Sequence, residues 1–222
     1  MPDAGGRVPF ETPTQIAAAL PRAVAHANDD GILAHPTETI YGLGTLVRDL
    51  ALERLVAAKH RPDAKPFLLL IANRAMLETL GARVSRAAAR LADAFWPGPL
   101  TLMLPGASSV HPLVRGARGE IAVRWTSHAG AASLVSALGE PLTSTSANVS
   151  GLPPCRDAQE IVRTWAAELA RGELLVLDGG RLADASPSTM VDCTGERPRL
   201  MRAGAIGVAQ LRLAAPDLAV EE

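Results

Sequence analysis

The chain reads as an α/β protein, a sheet with helices on its faces, and two observations predict this. Short apolar runs alternate with helical stretches along the whole sequence. Several runs, such as 67–71 and 100–104, are continuously apolar, the pattern of strands covered on both faces. No linker, repeat or low-complexity segment interrupts the pattern. The expected organisation is a loose leader (1–13), one domain (14–206) and a short tail (207–222).

Each element has its own reason. Residues 14–28 are alanine-rich with helical spacing, and Pro21 inside them predicts a kink or the first turn of a second helix. Residues 31–35 form a short buried strand. The loop that follows, from Pro36 to Gly44, carries two threonine hydroxyls and a carboxylate ahead of a Tyr-Gly-Leu-Gly turn. In open α/β sheets, ligands bind at such strand ends. Residues 50–59 place Leu52, Leu55 and Val56 on one helix face, and Pro62 stops the helix. Strand 67–71, helices 74–80 and 85–95, and strand 100–104 follow. Then come strand 121–125, helix 129–138 ended by Gly139, strand 142–146, and helix 157–170 with Asp157 as N-cap. Residues 174–177, 189–191 and 199–201 are short strands. The segment 179–188 is a glycine- and serine-rich loop, and one last helix starts near Gly207.

Composition narrows the class. Apolar residues make up 48% of the chain and aromatic ones only 3%, so the core is built of Ala, Leu, Val and Ile. The net charge of −1 gives no global attraction to nucleic acid. Cys155 and Cys193 are too few for a disulfide framework and predict a reducing, cytoplasmic setting. No signal peptide and no apolar run of membrane-spanning length is expected.

Three constellations carry possible chemistry. The first is the loop Pro36-Thr37-Glu38-Thr39. The second is Lys59-His60-Arg61-Pro62 with Lys65 behind it, either a solvated helix end or a clamp for phosphates and carboxylates. The third is Ser144 to Gly151, either a self-bonded turn or a set of short donors for phosphate and ribose. Arg124 and Arg202 form a weaker pair at strand ends. The five histidines lack metal-ligand spacing, and no Walker A, GxGxxG or GxSxG pattern occurs.

Six motifs then stand in order: Pro36 to Gly44, Lys59 to Pro62, Trp96-Pro97-Gly98-Pro99-Leu100-Thr101, Ala122-Val123-Arg124, Ser144 to Arg156, and Ser188 to Gly195. With them the chain resembles the YrdC/TsaC family of threonylcarbamoyl-AMP synthases, over residues 14–206. The resemblance implies an open, twisted mixed sheet with a large concave cavity. It implies that L-threonine, bicarbonate and ATP give threonylcarbamoyl-AMP and pyrophosphate. A partner complex then moves the threonylcarbamoyl group to the adenosine next to the anticodon in tRNAs reading codons that begin with A.

The resemblance also carries residue roles. Lys59 and Arg61 are implied as the catalytic basic pair on the nucleotide phosphates and the carboxylated intermediate. Thr37, Tyr41, Arg124, Ser144 and Ser188 are implied on the threonine side. Ser146, Asn148, Arg156 and Arg202 join Lys59 and Arg61 on the ATP side. Mg²⁺ is expected to arrive with ATP, and no protein metal site or organic cofactor is expected. Leu70 stands where longer relatives often carry histidine, and their C-terminal extension is expected to be missing. Glu38 has no assigned role: general base, ligand contact or brace all remain open. The competing reading is a non-catalytic module binding tRNA or double-stranded RNA, and near-neutral charge argues against it.

Overall fold

The computed structural model describes residues 6–60, 66–149 and 151–220. Arg61 and Lys65, two of the predicted cations, and Ser150 lie outside these ranges.

In chain order the strands are β1 (Arg7–Pro9), β2 (Ile32–His35), β3 (Gly42–Gly44), β4 (Leu68–Ile71), β5 (Leu100–Pro105), β6 (Glu120–Trp125), β7 (Leu142–Ser146), β8 (Leu174–Asp178), β9 (Thr189–Asp192), β10 (Arg199–Arg202) and β11 (Ala219–Val220). The helices are α1 (Pro13–Asn28), α2 (Asp49–Ala58), α3 (Ala75–Thr79), α4 (Arg86–Phe95), α5 (Ala129–Leu138), α6 (Ala158–Thr164), α7 (Ala166–Ala170) and α8 (Val208–Ala214).

The strands join in one open mixed sheet, ordered β1-β8-β2-β3-β7-β4-β6-β5-β9-β10-β11. β7 is the hinge of this order. It pairs antiparallel with β3 on one side and with β4 on the other. That single strand therefore brings the loop after β2 beside the strands β4 and β6.

Three expectations are corrected. The described part of the leader, from residue 6 on, is not loose: Arg7–Pro9 pairs parallel with β8, and Phe10 is fully buried. The tail contributes β11, which pairs with β10. Residues 42–44 are not loop but strand β3, so the loop proper is 36–41 and closes a hairpin.

Local chemistry explains the helices. Thr12 and Gln15 form a reciprocal capping box at the start of α1, with Pro13 in the first turn. Pro21 does not end this helix. Both Pro21 and Ala17, whose carbonyl loses its intrahelical donor, face solvent, so water can satisfy the lost bond. The predicted helix 157–170 is instead two helices, because Trp165 leaves helical geometry (φ −115°, ψ 39°) and buries its ring. Asp157 caps the first of them, accepting from the Glu160 N–H at 2.9 Å.

Candidate active site

Alternation along the strands builds one polar face. In β6, Ile121 and Val123 are fully buried, while Glu120, Ala122 and Arg124 line a cavity. In β7, Ser144 and Ser146 do the same, and Leu68, Met103 and Met190 give β4, β5 and β9 their share of the lining. The loop 36–41 supplies Thr37 and Thr39, and Ser188 and Arg202 complete the far side. The cavity is about 420 Å³, within the usual span for small-molecule sites.

The loop 36–41 is held by a directed chain of hydrogen bonds. Arg124 can only donate, and both its Nη atoms donate to Thr39 Oγ1 at 3.2 Å. The Thr37 hydroxyl donates to the Ile40 carbonyl at 2.7 Å and accepts from the N–H groups of Thr39 and Ile40. The 3.0 Å contact between the two threonine hydroxyls then runs from Thr39 to Thr37. Thr37 thus borders the cavity while its hydroxyl shapes the turn.

Glu38, whose role the sequence left open, is held at the edge of the site by three partners. Its carboxylate pairs with Arg124 Nη2 at 2.7 Å, accepts from the Thr126 hydroxyl at 2.5 Å and accepts from the Ser127 N–H at 3.3 Å. Burial pushes its pKa up, but the Arg124 charge and the hydrogen bonds from Arg124 and Thr126 outweigh this and hold it below the usual value. His35, at the end of β2, is fully buried, and burial lowers its pKa to about 4, so it is neutral at pH 7.

Arg202 differs from Arg124. Its guanidinium donates to the Ser188 carbonyl (3.1 and 2.9 Å) and the Ser188 hydroxyl (2.9 Å). Among the described residues no carboxylate pairs with it. Burial and the nearby Arg124 charge both lower its pKa. A cation held this way, with a like charge across the cavity, favours an anionic ligand.

Behind Ser146 lies Lys59. The α2 helix ends there, and the buried ammonium donates to the Ser146 carbonyl (2.6 Å), the Asn148 carbonyl and Asn148 Oδ1 (3.1 Å). Asn148 also accepts from the Ser146 hydroxyl and donates to the Leu152 carbonyl. Lys59 and Asn148 therefore fix the turn that presents Ser146.

Comparison with known proteins follows from this arrangement. Residues 26–204 match the Sua5/YciO/YrdC family model, described as telomere recombination. The chain belongs to the Sua5/YciO/YrdC family. Among its relatives is a protein of Pyrococcus abyssi named threonylcarbamoyl-AMP synthase, 33% identical over 190 residues, covering 85% of this chain and 55% of the relative. Another of that name, from Nitrosococcus oceani, is 36% identical over 171 residues, covering 76% of this chain and 90% of the relative. The chain thus spans about half the length of the Pyrococcus relative and nearly all of the Nitrosococcus one. The crystal structure of P. abyssi Sua5 complexed with L-threonine superposes with a TM-score of 0.86 at 29% identity, over 97% of this chain and 62% of that one. E. coli YciO superposes at 0.78 with 30% identity, over 92% and 97%.

Against this Sua5/YciO/YrdC frame, the predicted residues divide into two groups. Thr37, Arg124, Ser144, Ser146, Ser188 and Arg202 meet in the cavity lining. Tyr41 does not: its hydroxyl donates to the Gly180 carbonyl (2.7 Å) and accepts from the Gly179 N–H (3.0 Å), tying down the segment after β8. Arg156 is turned to Asp184 (2.6 Å) at the surface. Lys59 and Asn148 lie one layer behind the lining. Leu70 is fully buried, and Leu68 is the residue of β4 that reaches the cavity.

Sequence reasoning singled out the loop with Glu38 and Thr39 without giving either a role, and it missed Thr101 and Thr126. Thr101 and Ser188 share a 2.9 Å hydroxyl contact. Period-two alternation through Glu120, Ala122 and Arg124 is a signal that could have marked the cavity face of β6.

Proposed function

We propose that this chain is a threonylcarbamoyl-AMP synthase. The observation that carries the reading is a cavity with two guanidiniums, Arg124 and Arg202, facing a rim of serine and threonine hydroxyls. The name borne by the family's relatives supports it. So does the L-threonine complex of the Pyrococcus protein, whose fold this chain shares over nearly its whole length.

The chemistry asks little of the protein beyond alignment and charge neutralisation. The threonine amine attacks the carbon of bicarbonate, and water leaves as the carbamate forms. A carbamate oxygen attacks the α-phosphorus of ATP, the bond to the bridging oxygen breaks, and pyrophosphate departs. No protein nucleophile is consumed. In this reading Arg124 receives the threonine carboxylate, and Arg202 with the Ser146 turn neutralises phosphate charge. Arg61, outside the described residues, belongs to the same proposal as a phosphate clamp.

Magnesium enters as the counter-ion of ATP, part of the substrate. Among the described residues no group of three His, Cys, Asp or Glu side chains comes together to hold a metal. The product is a reactive mixed anhydride, so a partner must consume it, and the threonylcarbamoyl transfer to tRNA adenosine is that step. Use of ATP and tRNA assigns the reaction to the cytoplasm. Among the described residues no helix is long and apolar enough to cross a membrane.

The test is pyrophosphate release by the purified chain. Release that requires threonine and bicarbonate together is the expected result. ATP hydrolysis indifferent to both overturns the reading.

A further inference from the structure

Arg124 is the more enclosed of the two guanidiniums that line the cavity, with only 5% of its surface exposed. It is the one with a carboxylate beside it. Glu38 comes from a different segment, crosses to the exit of β6, and gathers Arg124, the Thr126 hydroxyl and the Ser127 N–H on one carboxylate. Arg124 Nε remains without a hydrogen-bond partner among the described residues. Thr39 and Glu38 take both N–H groups of Nη2 and one of Nη1, so the second Nη1 N–H, not the buried Nε, is the donor left for a ligand.

The charges around the cavity follow from this. Arg202 contributes a positive charge with no carboxylate partner among the described residues. Glu120, at the outer end of β6, accepts from the Arg118 N–H and lies beside its guanidinium. At Arg124 the positive charge is cancelled locally by Glu38, yet the guanidinium keeps an open donor. A neutral pair of this kind still attracts a carboxylate on its positive side. Unlike a bare arginine, it does not repel an ammonium group on the same ligand.

We infer that Glu38 is a positioning and specificity-determining residue. It aims Arg124 and cancels its charge, so that this end of the cavity takes a zwitterionic amino acid in preference to a plain hydroxy-carboxylate. The inference rests on the proposed synthase reading, and names the feature that would let the site distinguish threonine from an anion of the same shape.

The probe pair is L-threonine and (R)-3-hydroxybutyrate, which keeps the carboxylate, hydroxyl and methyl but lacks the amine. Calorimetric titration of the wild type should give a clear preference for threonine. In Glu38→Gln, which keeps the shape and removes the charge, that preference should fall about tenfold, because threonine weakens while the anion holds or gains. Thr126→Val removes one donor and leaves the charge. It should weaken both ligands by similar, smaller factors and preserve the preference.

Equal weakening of both ligands in Glu38→Gln would reduce Glu38 to a structural brace and overturn the inference. Unchanged binding of both ligands would overturn it as well. If Glu38→Gln does not fold, loss of preference in Thr126→Val overturns it on its own. A wild type that binds threonine and releases pyrophosphate, with an unaltered Glu38→Gln, separates this failure from that of the functional reading. A wild type that binds no threonine and makes no product removes both.

Discussion

Replacing Lys59 by methionine tests whether this buried ammonium holds the turn that presents Ser146. Lys59 is only 3% exposed, and its Nζ donates to two carbonyls and one side-chain amide oxygen. Hydrogen bonds to a charged donor contribute about 1.5–3 kcal/mol each. Desolvating an ammonium takes back several kcal/mol, so the net loss is smaller than the sum. The Ser146 carbonyl keeps the Asn148 N–H at 2.9 Å, which softens the loss further. A net destabilisation of about 2–4 kcal/mol follows for Lys59→Met. At about 2–4 °C per kcal/mol for a chain of this size, Tm should drop about 5–15 °C. Thermal unfolding followed by near-UV circular dichroism measures this, with pyrophosphate release recorded on the folded variant. Release should fall about a hundredfold or more, because the Ser146 wall moves with its support. A variant with wild-type Tm would contradict the brace, whatever its activity.

Other perturbations check separate parts of the account. Tyr41→Phe removes the hydroxyl that ties Gly179 and Gly180 and should cost about 1–2 kcal/mol in urea unfolding, with the threonine requirement unchanged; a raised threonine requirement would return Tyr41 to the site. His35 titrates with a folded-state pKa below that of the unfolded chain, so its contribution is full above pH 6.5 and fades as pH falls toward 4. The loss is about 3 kcal/mol by pH 4, and His35→Leu should flatten the stability profile over that window; parallel profiles would refute the assignment. Gly44→Ala puts a Cβ 2.0 Å from the Thr143 carbonyl, so β3 cannot keep its register on β7. Loss of more than about 3 kcal/mol is expected, and a near-neutral result would deny the close approach.

Apolar periodicity made most helices and interior strands legible, because burial imposes it directly. α5 and β7 fall at the predicted limits, and α2 and β5 within one residue of theirs. The strands that escaped, β1, β3 and β11, are two or three residues long, too short for any period to show. β3 escaped for a further reason. Gly42 and Gly44 read as turn formers, yet they are glycine here because the facing strands leave no room for a Cβ. At the site, the family resemblance pointed to Arg124, Ser144, Ser146, Ser188 and Arg202, which converge from a stretch running from residue 124 to residue 202. Spacing could not separate residues that line the cavity from those that hold the lining. Lys59, Asn148, Tyr41 and Glu38 belong to the second group, and only their hydrogen-bond partners reveal it.

The central claim is the reaction itself, and the product tests it most directly. The chain is incubated with ATP, L-threonine and ¹³C-bicarbonate, and the adenylates are resolved by mass spectrometry. The account predicts an adenylate carrying both threonine and the labelled carbon, formed together with pyrophosphate. An adenylate without the label, or no adduct while ATP is consumed, would contradict it.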